Sequence, residues 1–189
     1  MKPEIEHLQE QIDELKKQLS AARRKAAPEP VREYTLKRPD GSPVQLSDLF
    51  GAKSDLLVIH NMGRKCPYCT LWADGFQGLA DHLQNRTAVV IVSPDEPAVM
   101  REFAASRGWR LPMASGAGST FTHDLGYEPE PGRCWPGASG LRKRTDGTLV
   151  RTAKAVFGPG DDFCSLWPLF DLLEGGAGNW EPKYTYATG

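Results

Sequence analysis

Two cysteines separated by two residues, Cys66 and Cys69, stand between an apolar segment and a segment with helical periodicity. The apolar segment at 55–60 predicts a buried central strand, and the apolar spacing from Leu71 onwards predicts a helix. This junction places the first sulfur at a helix N-terminus, where free N–H groups and the helix dipole stabilise a thiolate. The second sulfur follows within one turn and can resolve a mixed disulfide. The pattern therefore predicts a redox dithiol, with Cys66 as nucleophile and Cys69 as resolving thiol.

The residues around the first cysteine also favour a reactive thiol. Arg64 and Lys65 directly precede Cys66. Because positive charge near a thiol favours the thiolate, both are predicted to support the nucleophile. Pro67 and Tyr68 lie between the two cysteines and belong to the predicted site. Tyr68 is expected to be exposed and to contact a substrate.

Two other interpretations of the cysteine pair remain open, a buried pair of inert thiols and half of a zinc site. Structural zinc takes four ligands, commonly two Cys-x-x-Cys pairs or one pair with two spaced histidines. The other cysteines, Cys134 and Cys164, are single and far apart, and the four histidines lack the required spacing. The sequence therefore favours the redox interpretation, and neither a metal nor a bound cofactor is predicted.

Length and charge limit the partners of the chain. Its 189 residues suffice for one domain with an extension, and its net charge of -1 gives no electrostatic case for nucleic acid or an anionic membrane. No apolar run approaches the ~20 residues that span a bilayer, and the N-terminus lacks the apolar core of a signal peptide. A lone Cys-x-x-Cys near a β-α-β pattern is typical of an intracellular protein. We expect a soluble cytoplasmic protein.

Residues 1–27 show the apolar periodicity of a coiled-coil helix, which two prolines, Pro28 and Pro30, bring to an end. About three heptads are marginal for an isolated helix, so it is expected to pair with a second copy or to dock on its own domain. Homodimerisation through 1–27 is the favoured interpretation. Ile at position a with Leu at position d favours a parallel pair, whereas the acidic first half and basic second half favour an antiparallel one. The apolar seam consists of Met1, Ile5, Leu8, Ile12, Leu15, Leu19 and Ala22.

The remaining elements predict an α/β domain at 33–176, joined to the helix by a linker at 28–32 and followed by a tail at 177–189. Asp-Gly at 146–147 indicates a hairpin near the C-terminal end of the domain. The predicted order is an entry hairpin within 33–50, a strand at 55–60, a helix from the dithiol to about 85, a strand at 87–92, a helix at 96–107, an irregular segment at 109–137 with a short helix near 120–125, hairpin strands at 140–144 and 149–157, and a last helix from 161 or 162 to 174. This order is that of the thioredoxin fold, a mixed sheet with helices on both faces.

The motifs themselves resemble known redox families. Residues 66–69, Cys-Pro-Tyr-Cys, have the letters of the glutaredoxin active site, and the segment around 46–49 resembles the start of peroxiredoxin and thioredoxin-like redoxin domains. The longer pattern at 66–76, Cys-Pro-x-Cys-x-x-Trp-Ala-Asp-Gly-Phe, resembles a bacterial thioredoxin-like family of unknown function. Gly-Trp at 108–109 and Gly-Ser-x-Phe at 118–121 are similar too. The resemblance covers most of the chain and implies a thioredoxin-like fold.

The sequence departs from those families at the active site. Lys65 stands where thioredoxins carry Trp, and positions 61–65 lack the Thr of the peroxiredoxin motif Pro-x-x-x-Thr-x-x-Cys. The Thr-Val-Pro segment through which glutaredoxins bind glutathione is not found. These departures argue against peroxidase activity and against dependence on glutathione.

The resemblance also implies a proline beside the dithiol, in cis in thioredoxin-like proteins. Pro136 is the best-placed residue for this role, with Pro94 and Pro112 as alternatives, and an ordinary trans proline is equally compatible. Trp135 and Pro136 are therefore added to the residues that would frame a substrate. Cys134 is either a third redox thiol or a plain buried cysteine.

The sequence predicts a thiol–disulfide oxidoreductase that acts on a disulfide-bearing protein or a small thiol substrate and depends on an external reductant. Two alternatives remain, a non-catalytic dimeric module for binding or redox sensing and a peroxiredoxin-like thiol peroxidase. Trp72 and His60 are predicted to be core residues. Asp74 is either a helix-surface acid or a group that supports the site.

Overall fold

The computed structural model describes residues 3–187, over which eight strands form one mixed sheet. The strands are β1 (Glu29–Val31), β2 (Thr35–Lys37), β3 (Pro43–Gln45), β4 (Asp55–His60), β5 (Ala88–Ser93), β6 (Met113–Ser115), β7 (Gly137–Lys143) and β8 (Leu149–Val156). They lie in the order β1-β8-β7-β4-β5-β6-β2-β3. The pairs β4–β5 and β5–β6 are parallel and the others are antiparallel, so the predicted thioredoxin-like mixed sheet is confirmed.

The helices lie close to their predicted positions, with two differences. They are α1 (Pro3–Lys25), a 3₁₀ helix (Leu46–Phe50), α2 (Pro67–Gly78), α3 (Ala80–Arg86), α4 (Pro97–Ser106), α5 (Phe121–Asp124) and α6 (Leu166–Phe170). The single helix expected from the dithiol to about 85 is broken at Leu79, directly after Gly78, a residue with low helix propensity. The last helix is also shorter than predicted. Asp161 accepts N–H bonds from Phe163 and Cys164, as expected of a cap, but regular helix begins only at Leu166.

The core lies on both faces of the sheet because successive residues of the central strands point in opposite directions. Leu56 and Val58 of β4 belong to one apolar cluster, whereas Ile59 belongs to the other. The second cluster includes residues of the helices that follow the dithiol, and its buried members include Trp72, Ala73, Phe76, Ala80, Val89, Ile91 and Trp167. The predicted burial of the central strands on both faces is therefore confirmed.

Two short strands lie where the sequence analysis predicts none. β1 falls inside the predicted linker at 28–32 and pairs with β8, where the carboxylate of Glu29 forms an ion pair with Arg151. β6 falls inside the predicted irregular segment and extends the sheet beyond β5. Both have three residues, too few for a period-2 pattern to appear in the sequence.

The N-terminal helix leaves its apolar seam uncovered. Met1 lies outside the described residues, as do the last two residues of the predicted tail. None of the described residues of α1 is buried, and the large side chains of the seam are 45% to 63% exposed. An ion pair of 2.7 Å between Lys16 and Asp162 connects the helix to the domain. The seam residues with these exposures are Ile5, Leu8, Ile12, Leu15 and Leu19.

The structure also bears on the expectation about membranes. Among the helices described within residues 3–187, none combines the length and the apolar character that crossing a bilayer requires.

Candidate redox site

The dithiol lies at the start of α2, after the loop that follows the central strand β4. After β4 ends at His60, the N–H of Asn61 still donates to the carbonyl of Val92 at 2.9 Å, which continues the pairing with β5. The chain then turns, and Cys66 becomes the N-cap residue of α2 with extended backbone angles. Pro67 takes the first helical position, where its missing N–H leaves no bond unmade. The predicted junction of strand, loop, dithiol and helix is confirmed.

The two thiols have different environments. Cys66 is partly exposed and its Sγ accepts the N–H of Cys69 at 3.1 Å, whereas Cys69 is only 3% exposed. The Sγ of Cys69 accepts the N–H of Met62 at 3.3 Å. Both cysteines are free thiols in this structure. An incoming disulfide therefore reaches Cys66 before it can reach Cys69.

The same arrangement separates the acidities of the two thiols. A hydrogen bond from the thiol of Cys69 lowers the pKa of Cys66 to about 7, the N–H groups of Cys69 and Tyr68 add to this, and burial opposes it. The pKa of Cys69 is raised by its hydrogen bond to Cys66, then by burial and by the charge of Cys66. The shared proton therefore stays on Cys69, and the negative charge lies on Cys66.

The basic residues before the dithiol lie at the surface of the loop that leads to Cys66. Arg64 and Lys65 are exposed, and neither is among the causes that lower the pKa of Cys66. The backbone N–H of Arg64 instead donates to the carboxylate of Asp95 at 2.7 Å. The predicted electrostatic support of the thiolate comes from within the dithiol and the helix N-terminus, because those groups touch the sulfur directly.

Asp95 is a structural support of the site that the sequence analysis missed. Its carboxylate accepts the N–H of Arg64 and also the hydroxyl of Ser93 at 3.0 Å. Gly63 has a φ of +95°, and a Cβ there would lie 3.0 Å from that carboxylate, so the loop needs glycine at this point. Ser93 ends β5, and the ends of neighbouring parallel strands meet at one edge of a sheet. That rule could have pointed to Asp95.

Pro136, the proline expected beside the dithiol, lies directly before β7. Pro136 directly precedes Gly137, which pairs with His60 at the end of β4, and its carbonyl accepts the N–H of Phe157 at 2.9 Å. No peptide bond within residues 3–187 is cis, so Pro136 adopts the trans alternative. Trp135 is 42% exposed.

The remaining cysteines are free thiols with no disulfide between them. Burial raises the pKa of both Cys134 and Cys164. The charge of Cys134 also contributes to raising the pKa of Cys69, so Cys134 lies on the same side of the molecule as the dithiol.

Asp74 joins α2 to the end of α4 and to the C-terminal segment. Its carboxylate accepts Nε of Arg107 at 2.9 Å and Nε1 of Trp109 at 2.7 Å. Nη1 of Arg107 donates onward to the carbonyl of Tyr184 at 2.9 Å. Burial raises the pKa of Tyr184, and the charges of Cys66 and Cys69 add to this, so the tail lies near the dithiol. Asp74 is therefore a partly exposed acid of α2 that holds Arg107 and Trp109.

A cavity of about 610 Å³ opens beside Tyr68, the residue between the cysteines. The ring of Tyr68 is partly buried, with its centroid 6.2 Å from that of Trp72 and 6.4 Å from that of Trp167. The predicted exposure of Tyr68 is therefore only partial. The cavity is lined by Tyr68, Pro159, Gly160, Trp167, Asp171, Ala177, Gly178, Asn179, Trp180 and Glu181.

The sequence pattern of a bacterial protein family of unknown function, DUF899, matches residues 3–182. The chain belongs to this family. A search of curated protein sequences found no match.

Solved structures similar to the DUF899 chain include several peroxiredoxins. Peroxidoxin BcpB of Mycobacterium tuberculosis is 24% identical with a TM-score of 0.53, over 65% of this chain and 80% of that one. A peroxiredoxin-like protein of Aquifex aeolicus is 15% identical with a TM-score of 0.55, over 68% and 74%. The bacterioferritin comigratory protein of Xanthomonas campestris is 17% identical with a TM-score of 0.51, over 65% and 79%. At these identities the likeness establishes the thioredoxin-like fold.

Two aromatic residues near the dithiol of the DUF899 chain are core residues, as predicted. Trp72 is 3% exposed and its indole N–H donates to Asp161 at 3.4 Å. His60 is 2% exposed, and its Nε2 lies 3.0 Å from Oγ of Ser139. Burial lowers the pKa of His60 to about 3, so its ring is neutral.

The zinc interpretation requires a cluster of ligands. Within residues 3–187 of the DUF899 chain, no three side chains of His, Cys, Asp or Glu are grouped so that they could hold a metal ion. The two remaining interpretations need only the cysteines. A redox pair requires a lowered pKa at Cys66, whereas an inert buried pair would have a raised one.

Proposed function

We propose that this DUF899 chain is a thiol–disulfide oxidoreductase in which Cys66 attacks and Cys69 resolves. The observation that carries the proposal is the unequal acidity of the two thiols, with a pKa of about 7 for Cys66 and a raised pKa for Cys69. At neutral pH about half of Cys66 is thiolate, whereas an ordinary thiol is a few per cent ionised. An inert buried pair would have two raised values.

The reaction follows from this division of roles. The Cys66 thiolate attacks one sulfur of a substrate disulfide, the substrate S–S bond breaks, and the leaving thiolate takes a proton. Cys69 then loses its proton and attacks Sγ of Cys66, which releases the second substrate thiol. Two electrons pass to the substrate, and the Cys66–Cys69 disulfide is left for an external dithiol reductant. The hydrogen bond from Cys69 to Cys66 in the resting state already holds the two sulfurs together.

The surroundings of the dithiol suit a disulfide partner. Tyr68 lies beside an open cavity, and Trp135 and Pro136 lie at the same end of the sheet as the dithiol. Arg64 and Lys65 are exposed in the loop before Cys66 and are available to a partner. A reductase of this kind needs a compartment that keeps thiols reduced, so we place the protein in the cytoplasm.

The proposal is tested by insulin reduction with dithiothreitol as reductant, in the wild type and three variants. Cys66→Ser should lose the activity, because the nucleophile is removed. Pre-reduced Cys69→Ser, mixed with insulin in the absence of dithiothreitol, should accumulate a mixed disulfide on Cys66 that is visible by intact mass, because no second thiol of the site resolves it. Cys134→Ser is the matched control and should keep most of the activity. Undiminished turnover in Cys66→Ser would rule out the mechanism.

A thiol peroxidase is the second candidate, favoured by the similarity to peroxiredoxin structures. The bacterioferritin comigratory protein of Xanthomonas campestris has alkyl peroxide reduction activity. A peroxidase would form a sulfenic acid at Cys66 with peroxide and would consume cumene hydroperoxide in the presence of thiols. Peroxide consumption that survives in Cys69→Ser, with no insulin reduction in the wild type, would favour this candidate over the first.

A further inference from the structure

The resolving thiol must ionise in a buried position. Cys69 is only 3% exposed, so water has little access to a negative charge on its sulfur. Because burial disfavours a thiolate, stabilisation of that charge has to come from hydrogen-bond donors of the protein that contact Sγ. The donors at this sulfur therefore control the second step of the proposed reaction, in which Cys69 attacks Cys66.

The backbone N–H of Met62 donates to this sulfur at 3.3 Å. In the resting protein Cys69 also donates its thiol proton to Cys66, and this bond, then burial and then the charge of Cys66, raises the pKa of Cys69. Once Cys66 is bonded to a substrate sulfur it is no longer a thiolate, so that bond and that charge are lost. The N–H of Met62, which lowers the pKa of Cys69, belongs to the backbone and remains.

Asn61 holds the peptide of Met62 in place from both sides. Its own N–H donates to the carbonyl of Val92 at 2.9 Å, which fixes Asn61 to β5. Its Oδ1 accepts the N–H of Gly63 at 2.7 Å, and its Nδ2 donates to the carbonyl of Cys69 at 3.5 Å. Asn61 is only 8% exposed, and its amide group joins the turn around Met62 to the helix that carries the resolving thiol.

The amide group of Asn61 suits this position chemically. An amide supplies an acceptor to one side and a donor to the other, and it carries no charge. A carboxylate at the same place would accept the N–H of Gly63 but would disfavour a thiolate on Cys69, because like charges repel. Asn61 can therefore shape the turn without opposing the ionisation of the sulfur.

We propose that Asn61 is a positioning residue for the resolving step, which keeps the N–H of Met62 on the sulfur of Cys69 while that sulfur becomes negatively charged. The inference rests on the oxidoreductase function proposed above and concerns its second step. Cys69 loses its proton, its thiolate bonds to Sγ of Cys66, and the bond between Cys66 and the substrate sulfur breaks. The substrate leaves as a thiolate and takes up a proton, so two protein thiols are oxidised as one disulfide is reduced.

The first step does not depend on this contact. Sγ of Cys66 accepts the N–H of Cys69 within the first turn of α2 and the thiol proton of the same residue. Neither donor belongs to Asn61 or Met62. Loss of the Asn61 side chain should therefore slow the resolving step and spare the attack by Cys66, whereas a general loss of structure would slow both.

The two steps can be timed separately with 5,5′-dithiobis(2-nitrobenzoate), because each releases one coloured thiolate. Pre-reduced full-length protein is mixed with one equivalent of this disulfide in a stopped-flow instrument at a series of pH values. All proteins carry Cys134→Ser, since Cys134 is a partly exposed thiol whose charge also raises the pKa of Cys69. The first release reports the attack by Cys66 and the second reports resolution, which Cys69→Ser should abolish.

We expect Asn61→Ala to slow the second release by about tenfold and to move its pH profile upward by about one unit, since a hydrogen bond to a charged sulfur is lost. The first release should stay within about twofold of the wild type. Asn61→Ser keeps an acceptor for the N–H of Gly63 and should lie between the two, which also provides a test if the alanine variant does not fold.

Asp55→Ala is the matched control, because Asp55 lies at the other end of β4 and pairs there with Arg86 and Arg142. It should leave both releases unchanged. Equal slowing of both releases in the Asn61 variants, or an unchanged second release, would overturn the role of Asn61 while leaving the oxidoreductase intact. Absence of a second release in the protein with Asn61 intact would instead overturn the resolving role of Cys69 itself.

Discussion

At the residue scale, the chemistry depends on the hydrogen bonds between the two cysteines of the dithiol. Cys69 donates both its backbone N–H and its thiol proton to Cys66, so the resolving residue also activates the nucleophile. Burial alone would raise the pKa of both thiols, because it disfavours the charged form. The hydrogen bonds outweigh burial at Cys66 and reinforce it at Cys69.

The first prediction concerns the acidity of Cys66. The rate constant for its alkylation by iodoacetamide should rise with pH and reach half its maximum near pH 7, because only the thiolate reacts. In Cys69→Ala the thiol donor is lost while the backbone N–H remains, so the midpoint should move upward by about one unit. Mass spectrometry of the peptide that contains Cys66 gives both profiles.

The matched control is Cys134→Ala, because Cys134 is near the dithiol and is not among the causes of the lowered pKa of Cys66. Its profile should superimpose on that of the wild type. A midpoint that stays in place in Cys69→Ala would show that another group, such as Arg64 or Lys65, holds the thiolate.

At the element scale, the sequence predicts the long elements well and the short ones poorly. β4 has its predicted bounds because four consecutive apolar residues, packed on both faces of the sheet, form its centre. β1 and β6 cannot be recognised in the sequence, because three residues are too few to show the alternation of buried and exposed positions in a strand. They are strands because they pair with β8 and β5. Tertiary pairing of this kind is not encoded in any local window.

The candidate site divides in the same way. Cys66, Cys69, Pro67 and Tyr68 are recognisable because their roles follow from adjacent positions in the chain. The roles of Asp95 and Asp74 depend on partners about 30 residues away, Arg64 for the first and Arg107 for the second. Such contacts follow from the sheet order and helix packing, which the sequence predicts only in outline.

The second prediction concerns the junction of α2, α4 and the tail. Asp74→Ala should lower the free energy of unfolding by about 2 kcal/mol, because it leaves the partly buried Arg107 and the indole N–H of Trp109 without their acceptor. It should also speed amide exchange at 183–187, since Arg107 no longer holds the carbonyl of Tyr184 in place. Urea denaturation and hydrogen exchange measure the two effects.

Asp81→Ala is the control for this prediction. Asp81 pairs with Arg110 at 3.4 Å in an exposed ion pair, and such pairs contribute little to stability. A loss of stability in Asp81→Ala equal to that in Asp74→Ala would mean that general surface charge, and not the shared carboxylate, accounts for the effect.

The third prediction concerns α1, whose uncovered seam suits a second copy of the chain. We predict a homodimer paired through this helix, which Leu8→Gln combined with Leu15→Gln should convert to a monomer by exposing polar groups at two core positions. Glu10→Gln combined with Lys17→Gln changes the opposite face and should leave the dimer unchanged. Sedimentation equilibrium at micromolar concentration distinguishes the masses. A monomeric wild type would contradict the prediction.

At the scale of the whole molecule, an acidic nucleophile links redox state, pH and stability. A thiolate that the fold stabilises exists only in the reduced protein, so the same interactions that activate Cys66 favour the reduced state over the disulfide. The reduced protein should therefore depend on pH in a way that the oxidised protein does not.

The direction of that dependence follows from the pKa of Cys66, about 7 in the fold against about 8.5 for a free thiol. Because the folded value is the lower one, the thiolate adds stability that is fully present above about pH 8.5 and is lost as pH falls through 7. Cys69, with its raised pKa, acts against stability only above its unfolded value, so the window from pH 6.5 to 8.5 isolates Cys66.

The fourth prediction is the difference between reduced wild type and reduced Cys66→Ser in thermal unfolding. The Tm of the wild type should rise relative to that of the variant as pH rises from 6.5 to 8.5, because only the wild type has the stabilised thiolate. Other titrating groups, His60 among them, are common to both proteins, so their effects cancel. The oxidised wild type, which has no thiolate at Cys66, should show no such trend against the same variant. Parallel curves for the reduced proteins across this window would mean that the fold does not stabilise the thiolate, and the division of roles between the two sulfurs would then have no physical basis.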